Sequence, residues 1–416
     1  EKGVKMSKRI VGNHAEHKRL ESNILQISQE AKAQKKIYDD VIDATVGMLH
    51  HENGDVFKYE VVQEVLKALS DEDTYNYAPV RGKKTFTEGV LNWVFNENAN
   101  MIREKFKYSI IPTTGGSGAI SNTFYNFNDF GQKILLPNYY WSPYKNFALE
   151  ANVDLETYPM YDELGKFNTK AFRESALKLV KEQGRLTTLI NDPANNPTGL
   201  CMDINDWEEV IKVLNEIDDL GYPVILIHDI AYIDYQMKDS IVSRETFKAY
   251  EGLNEEILAV VVFSGSKSFS MYGFRVGAQI GVSKSQAVID NFTRVGDYSV
   301  RGRFSSVSQP GMNVIDKIFN NEDYISKFNK ELEYGRKLLK DRAALFLKEA
   351  ERLNLDILPY CGGFFISVPT KNKNIFEDLK NDRVFVIAMQ DIIRIAISSL
   401  PISDIPELVR KVKKHI

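Results

Sequence analysis

Cysteine is nearly missing from this chain. Cys201 and Cys361 are the two present in 416 residues. They are too few for a disulfide framework and far apart in sequence, so two reduced thiols are expected. No apolar run approaches the length of a membrane-spanning helix, so a helical membrane span is excluded. Neither sign of charge dominates: 53 Lys and Arg face 57 Asp and Glu, for a net charge of −4. That balance provides no basic surface for nucleic acid. Internal repeats and low-complexity tracts are also missing. The opening EKGVKMSKRI lacks the apolar segment of a secretory signal, and Met6 is a candidate start. These features together predict a cytoplasmic globular protein.

Apolar residues make up 43% of the chain and aromatics 11%, enough for a packed interior. At 416 residues the chain outgrows a single core, and two lobes are expected. Apolar or β-branched runs recur at QKILLP (132–137), DLETYPM (154–160), LTTLIND (186–192), PVILIHD (223–229) and ILAVVVF (257–263). Helical patterns separate them, one opening at the N-cap candidate Asp203 and closing at Gly221. Such alternation predicts an α/β fold, a largely parallel sheet with helices on both faces. Beyond residue 310 the texture changes to a long amphipathic helix over about 322–352, three short strands and a terminal helix starting near Ser403. The expected organisation is an N-terminal arm and part of the small domain over 1–60, a large domain over 61–309, and a small α+β domain over 310–416.

Four segments carry chemistry. In SGSKSFSMYGFRVG, Lys267 stands just past a buried strand, with Ser264 and Ser266 before it and Arg275 and Gly277 after. A lysine there can form an imine with an aldehyde, and the serines and arginine can hold a phosphate; pyridoxal phosphate carries both groups on one ring. The turn TTGGSGAIS places Gly115, Gly116 and Gly118 at a helix start, where free N–H groups and the helix dipole suit a phosphate. In NDPANNPTG, Asn196 is the amide best placed to donate to a ring oxygen, although the segment is also simply a strong turn. In HDIAYIDY, Asp229 ends a buried strand and needs a cation or donors. A helix N-cap would satisfy it, and so would a pyridinium N–H. Opposite charges about 4 Å apart at an effective dielectric near 20 interact by roughly 4 kcal/mol, about three pKa units. Asn196, Asp229 and Lys267 each follow the carboxyl end of an expected parallel strand, the edge where open α/β sheets bind ligands. No Gly-x-Gly-x-x-Gly follows the first strand, which argues against a dinucleotide site. His50–His51 is a weak metal pattern and His228 a packed strand histidine, so no metal is expected.

The order of these segments resembles the class I aminotransferases, the fold-type-I pyridoxal-phosphate enzymes, over most of the chain. It runs glycine turn, aromatic, Asn-Pro-Thr-Gly, Asp-x-Ala-Tyr, Ser-x-x-Lys with an arginine eight positions on, and a late arginine. The resemblance implies that Lys267 bonds the cofactor and then shuttles a proton between the substrate Cα and the cofactor's C4′. Asp229 would pair with the pyridine nitrogen, Asn196 and Tyr232 with the ring oxygen. Gly116, Ser117, Gly118, Ser264 and Arg275 would hold the phosphate. Trp141 matches the ring-stacking aromatic, with Tyr139 as a rival. Tyr77 matches the tyrosine that reaches a neighbouring subunit's phosphate, which implies a homodimer. Arg394 matches the clamp on the substrate α-carboxylate, and Gly47 the glycine beside the substrate. Outside the family context, packing roles serve equally for Trp141, Tyr77 and Gly47.

Substrate choice is the open part of the resemblance. Arg301, with Arg303 as competitor, would read a distal carboxylate from across the dimer. Ser306 stands where the aspartate-type enzymes carry Asn, and the prolines that follow are reduced to Pro310, leaving aromatic or broad use open. The implied activity is transfer of an amino group between an L-amino acid and a 2-oxo acid such as 2-oxoglutarate in ping-pong half-reactions. β-Elimination or decarboxylation with the same cofactor is the enzymatic alternative. A non-catalytic sensor would need a basic helix-turn-helix domain, for which the first 45 residues leave no room.

Overall fold

Seven strands form the central sheet of the computed structural model, which describes residues 10–16, 18–19, 24–237 and 244–416. They are β1 (Lys107–Thr114), β2 (Lys133–Pro137), β3 (Asp154–Tyr158), β4 (Leu186–Asn191), β5 (Val224–Asp229), β6 (Leu258–Ser264) and β7 (Val276–Ser283). Their spatial order is β1-β7-β6-β5-β4-β2-β3. β7 runs antiparallel to β1 and β6, and the remaining neighbours pair in parallel. Every residue of β4, β5, β6 and β7 is buried, as expected for strands covered by helices on both sides. Registers Asn191↔Asp229 and Asp229↔Val262 bring the carboxyl ends of β4, β5 and β6 to one edge.

The crossovers follow from helix periodicity. α1 (Gly115–Asn126) follows β1, α2 (Tyr144–Ala151) follows β2, α3 (Thr169–Gln183) joins β3 to β4, and α4 (Ile204–Asp219) joins β4 to β5. In α4, Trp207, Val210, Ile211, Leu214 and Ile217 form the buried stripe. Asp203 and Asp206 make a reciprocal capping box at its start, and Gly221, with φ of +85°, turns the chain just past its end. A four-residue helical turn, α5 (Gly265–Ser268), follows β6 and carries Lys267. α6 (Gln286–Phe304) and α7 (Gln309–Phe319) complete the large lobe.

The 31-residue α8 (Glu322–Arg352) leads into the second lobe. There β8 (Phe365–Pro369), β9 (Ile387–Met389) and β10 (Ile392–Ala396) form an antiparallel sheet in the order β9-β10-β8, followed by α9 (Ile405–His415). Ile42–Asp43 pairs in parallel with Val384–Phe385, so the N-terminal segment is stitched to this lobe. Among the described residues no helix is long and apolar enough to cross a membrane.

One expectation is corrected here. Cys201 and Cys361 are not separate thiols: they form a disulfide, with Cα atoms 5.9 Å apart across 160 residues of sequence. Cys201 lies on the loop after β4 and Cys361 just before β8, and backbone pairing of Cys361 N–H with the Gly199 carbonyl at 2.9 Å brings the two loops together. Sequence distance carried no information about that contact.

Candidate active site

The carboxyl ends of β4, β5 and β6, the start of α1 and the near face of the small lobe enclose a cavity of about 650 Å³. Gly47, Gly116, Ser117, Trp141, Asn196, Asp229, Tyr232, Ser264, Lys267, Arg275 and Arg394 all line it. Three of the expected residues do not. Gly118 lies inside α1, where a Cβ would come within 2.6 Å of Thr114 Oγ1 and 3.3 Å of Thr113 Cβ at the end of β1. Tyr77 is 88% exposed, and Arg301 is on the outer surface, its Nη1 donating to Ser305 Oγ at 2.7 Å. Of the two stacking rivals Trp141 faces the cavity, whereas the Tyr139 hydroxyl is engaged by Asp391 at 3.0 Å.

Lys267 Nζ points into the cavity and donates to the Gly47 carbonyl at 2.6 Å. Burial, then the positive charges of Arg394 and Arg275, bring its pKa down to about 7. Asp229 is 4% exposed. Its carboxylate accepts from the Tyr144 hydroxyl at 2.6 Å and from the Ala231 N–H at 3.0 Å. Burial raises its pKa, and those two donors partly oppose the shift. Both donors are neutral, and among the described residues no cationic side chain hydrogen-bonds or ion-pairs with this buried carboxylate. The Tyr232 hydroxyl lies 3.5 Å from Asn196 Nδ2, and burial pushes its pKa upward.

Arg394, on β10, is 4% exposed. Its Nη2 donates to the Thr45 carbonyl at 2.8 Å, its Nη1 to Asn196 Oδ1 at 3.2 Å, and the guanidinium lies 4.2 Å from the centre of the Phe365 ring. Its Nε is buried with no hydrogen-bond partner, and burial lowers its pKa to about 10. A planar acceptor such as a carboxylate would complete this fork.

At the other end of the cavity, α1 begins at Gly115, whose φ of +71° turns the chain so that successive N–H groups open inward. Arg275 lies across this turn, its Nη1 donating to Ser266 Oγ at 3.0 Å and to the Tyr272 carbonyl at 2.9 Å. Gly277 crosses beneath; a Cβ there would fall 2.5 Å from the Phe263 carbonyl oxygen and 2.7 Å from the Gly115 carbonyl carbon.

The residues fit pyridoxal phosphate group by group. Helix N–H groups, Ser264, Ser266 and Arg275 suit a phosphate, an uncompensated buried carboxylate suits a ring cation, and a lysine titrating near neutrality suits an aldehyde. Tyr144, Tyr272 and Ser266 also line the cavity. Of these, Tyr144 and Tyr272 escaped the sequence reading. His228 faces away: its ring nitrogens meet Tyr250 Oη at 2.8 Å and the Asp192 carbonyl at 2.9 Å, and burial takes its pKa down to about 3. Among the described residues no group of acidic, His or Cys side chains is placed to hold a metal ion.

Known proteins match this chain at every level. The family model for aminotransferase class I and II covers residues 39–412. The aspartate aminotransferase of Salmonella typhi is 25% identical over 344 residues, which cover 80% of this chain and 83% of that protein. A solved aminotransferase from Anaerococcus prevotii superposes with a TM-score of 0.93 at 29% identity, over 98% of this chain and 99% of that one. The aromatic-amino-acid aminotransferase from Burkholderia pseudomallei, solved covalently bound to pyridoxal phosphate, shares the fold with a TM-score of 0.78 at 17% identity, over 97% of this chain and 99% of that one.

Proposed function

The chain belongs to the class I and II aminotransferases, and from that premise we propose how its cavity works. The enzyme moves an amino group between an L-amino acid of aspartate or aromatic type and a 2-oxo acid such as 2-oxoglutarate, in two half-reactions at one site, with pyridoxal phosphate as cofactor. The observation that supports this most is the joint presence, in one cavity, of the Lys267 amine and an Asp229 carboxylate whose donors are neutral.

When bound, the cofactor supplies an aldehyde that condenses with amines and a protonated ring that withdraws electrons from the substrate Cα. The chain's own residues do the rest. Lys267 Nζ is the covalent anchor and, when free, the base that takes the Cα proton and gives a proton back; a pKa of about 7 lets it do both near neutrality. Asp229 holds the ring nitrogen's proton, and the Tyr144 hydroxyl orients that carboxylate. Asn196 and Tyr232, 3.5 Å apart, would donate to the ring oxygen. Arg394 takes the substrate α-carboxylate in its fork. Trp141 and Phe365 wall the space and keep water out.

The surface residues belong to the same proposal. Tyr75, Tyr77 and Tyr298 are each more than 80% exposed, and Arg81 pairs with Asp297 at 2.7 Å, which joins the segment around Tyr77 to α6. An aromatic face of this kind supports a homodimer in which Tyr77 and Arg301 complete the neighbour's site. Arg303, held by Ser121 Oγ and Asn122 Oδ1 at 3.0 Å, is already engaged within its own chain, which favours Arg301 as the distal-carboxylate reader. We further take 61–309 as the cofactor-holding domain and 310–416 with 1–60 as the small one. A cytoplasmic setting suits a user of free amino acids; the Cys201–Cys361 bond weighs the other way, since a reducing compartment keeps most thiols free.

The test is spectroscopic. Purified protein loaded with pyridoxal phosphate is expected to show a visible band that borohydride abolishes and Lys267→Ala lacks. Aspartate or tyrosine should bleach it. A colourless protein, or a band that survives in Lys267→Ala, overturns the assignment.

A further inference from the structure

Segment 45–49 touches each half of the chemistry by its main chain alone. The Thr45 carbonyl accepts from Arg394 Nη2 at 2.8 Å, and the Gly47 carbonyl accepts from Lys267 Nζ at 2.6 Å. Two residues on, the Leu49 N–H donates to the Tyr272 hydroxyl at 3.0 Å. Gly47 packs closely on the small lobe: a Cβ at that position would lie 2.3 Å from Phe365 Cζ, in the ring that backs Arg394. The segment is thus clamped between the small lobe and Tyr272.

Tyr272 reaches three parts of the site from one position. Its hydroxyl holds segment 45–49, its ring centre lies 4.9 Å from Lys267 Nζ, and its carbonyl accepts from Arg275 Nη1 at 2.9 Å. Tyr272 comes five residues after Lys267, on the loop that returns to β7, and Arg275 lies three further on. The hydroxyl is therefore the point where the large lobe grips the segment whose carbonyls hold the amine and the carboxylate clamp.

We propose that Tyr272 is a positioning residue for amino-group transfer, setting the distance between Lys267 and Arg394 through segment 45–49. The proposal rests on the aminotransferase reading above. The physical argument is one of rigidity. A carbonyl that must hold a flexible lysine in place is useful only if its own backbone is fixed, and apart from that lysine the Tyr272 hydroxyl on the Leu49 N–H is the large lobe's side-chain hold on this segment among the described residues. Removing the hydroxyl leaves a partly buried N–H without its acceptor and lets Gly47 and Thr45 drift together.

The test uses the full-length loaded enzyme and Tyr272→Phe. The visible band should keep its full intensity, because Lys267 and Asp229 are untouched, while KM for both the amino acid and the 2-oxo acid rises about tenfold and kcat falls less than threefold. In an Arg394→Lys background the same change should cost no more than about twofold, since the residue served by the segment is already altered. Equal effects in both backgrounds, or unchanged KM, overturn the proposal. Hydrogen exchange supplies a readout that does not depend on the cofactor: the amides around Leu49 should exchange at least about tenfold faster in Tyr272→Phe. Unchanged protection there overturns the proposal as well. Failure of the parent reading would show instead as a missing band in the wild-type protein.

Discussion

The floor of the cavity and its outer rim are built on opposite terms. On the floor, Lys267, Asp229, Asn196 and Arg394 are held by partners from their own chain, at distances between 2.6 and 3.5 Å. In what the proposal above makes the rim, Tyr77 stands 88% exposed and the Arg301 guanidinium donates to its neighbour Ser305. The floor is complete within one chain and strongly perturbs the groups it encloses, because burial removes their water. The rim retains ordinary surface chemistry until something covers it. What one chain finishes, it finishes by desolvation; the exposed residues are where the proposed homodimer can be tested.

Asp229→Asn gives the sharpest separation. Losing roughly 4 kcal/mol of charge pairing at an effective dielectric near 20 should lower kcat/KM about 1,000-fold for every substrate alike. A loss below about tenfold would make Asp229 a scaffold residue and remove the floor's claim to the chemistry. Next in size is Arg301→Ala. It should lower kcat/KM for aspartate by about 10- to 100-fold and leave tyrosine within about twofold, with Arg303→Ala as the comparison. Equal losses for both amino acids would move the rim out of substrate recognition. The smallest effect is a dependence on pH. Lys267 reacts as the neutral amine, and its pKa of about 7 is lowered, so capture of pyridoxal phosphate by the unloaded protein should rise about tenfold per unit below that value and flatten above it. Arg394→Gln should move the break upward, since a nearby positive charge has gone. A break left in the ordinary lysine range would show that the floor does not desolvate its amine.

The same contrast explains what could be read from residues alone. Strands β4, β5 and β6 are continuous apolar runs, and the long helix over 322–352 shows its period plainly, so the sheet edge and the residues after it were legible. β1 and β7 were not. β1 opens on Lys107 and carries Pro112, tolerable because β1 is an edge strand. β7 contains Gly277 and Gly281, poor strand formers that are required because a Cβ at 281 would meet the Phe292 ring at 2.5 Å. Tyr144 was hidden for another reason: its link to Asp229 spans 85 residues and has no local pattern. The Cys201–Cys361 pair is the same kind of case.

The crossing at Gly277 has a consequence for how this site tolerates change. Main chain lies directly against main chain there, so the separation of the glycine turn from β6, the strand that leads into the turn bearing Lys267, is a gauge cut in covalent geometry. Side chains around it can be exchanged, but any side chain at 277 itself would push the Gly115–Gly116 turn away from β6.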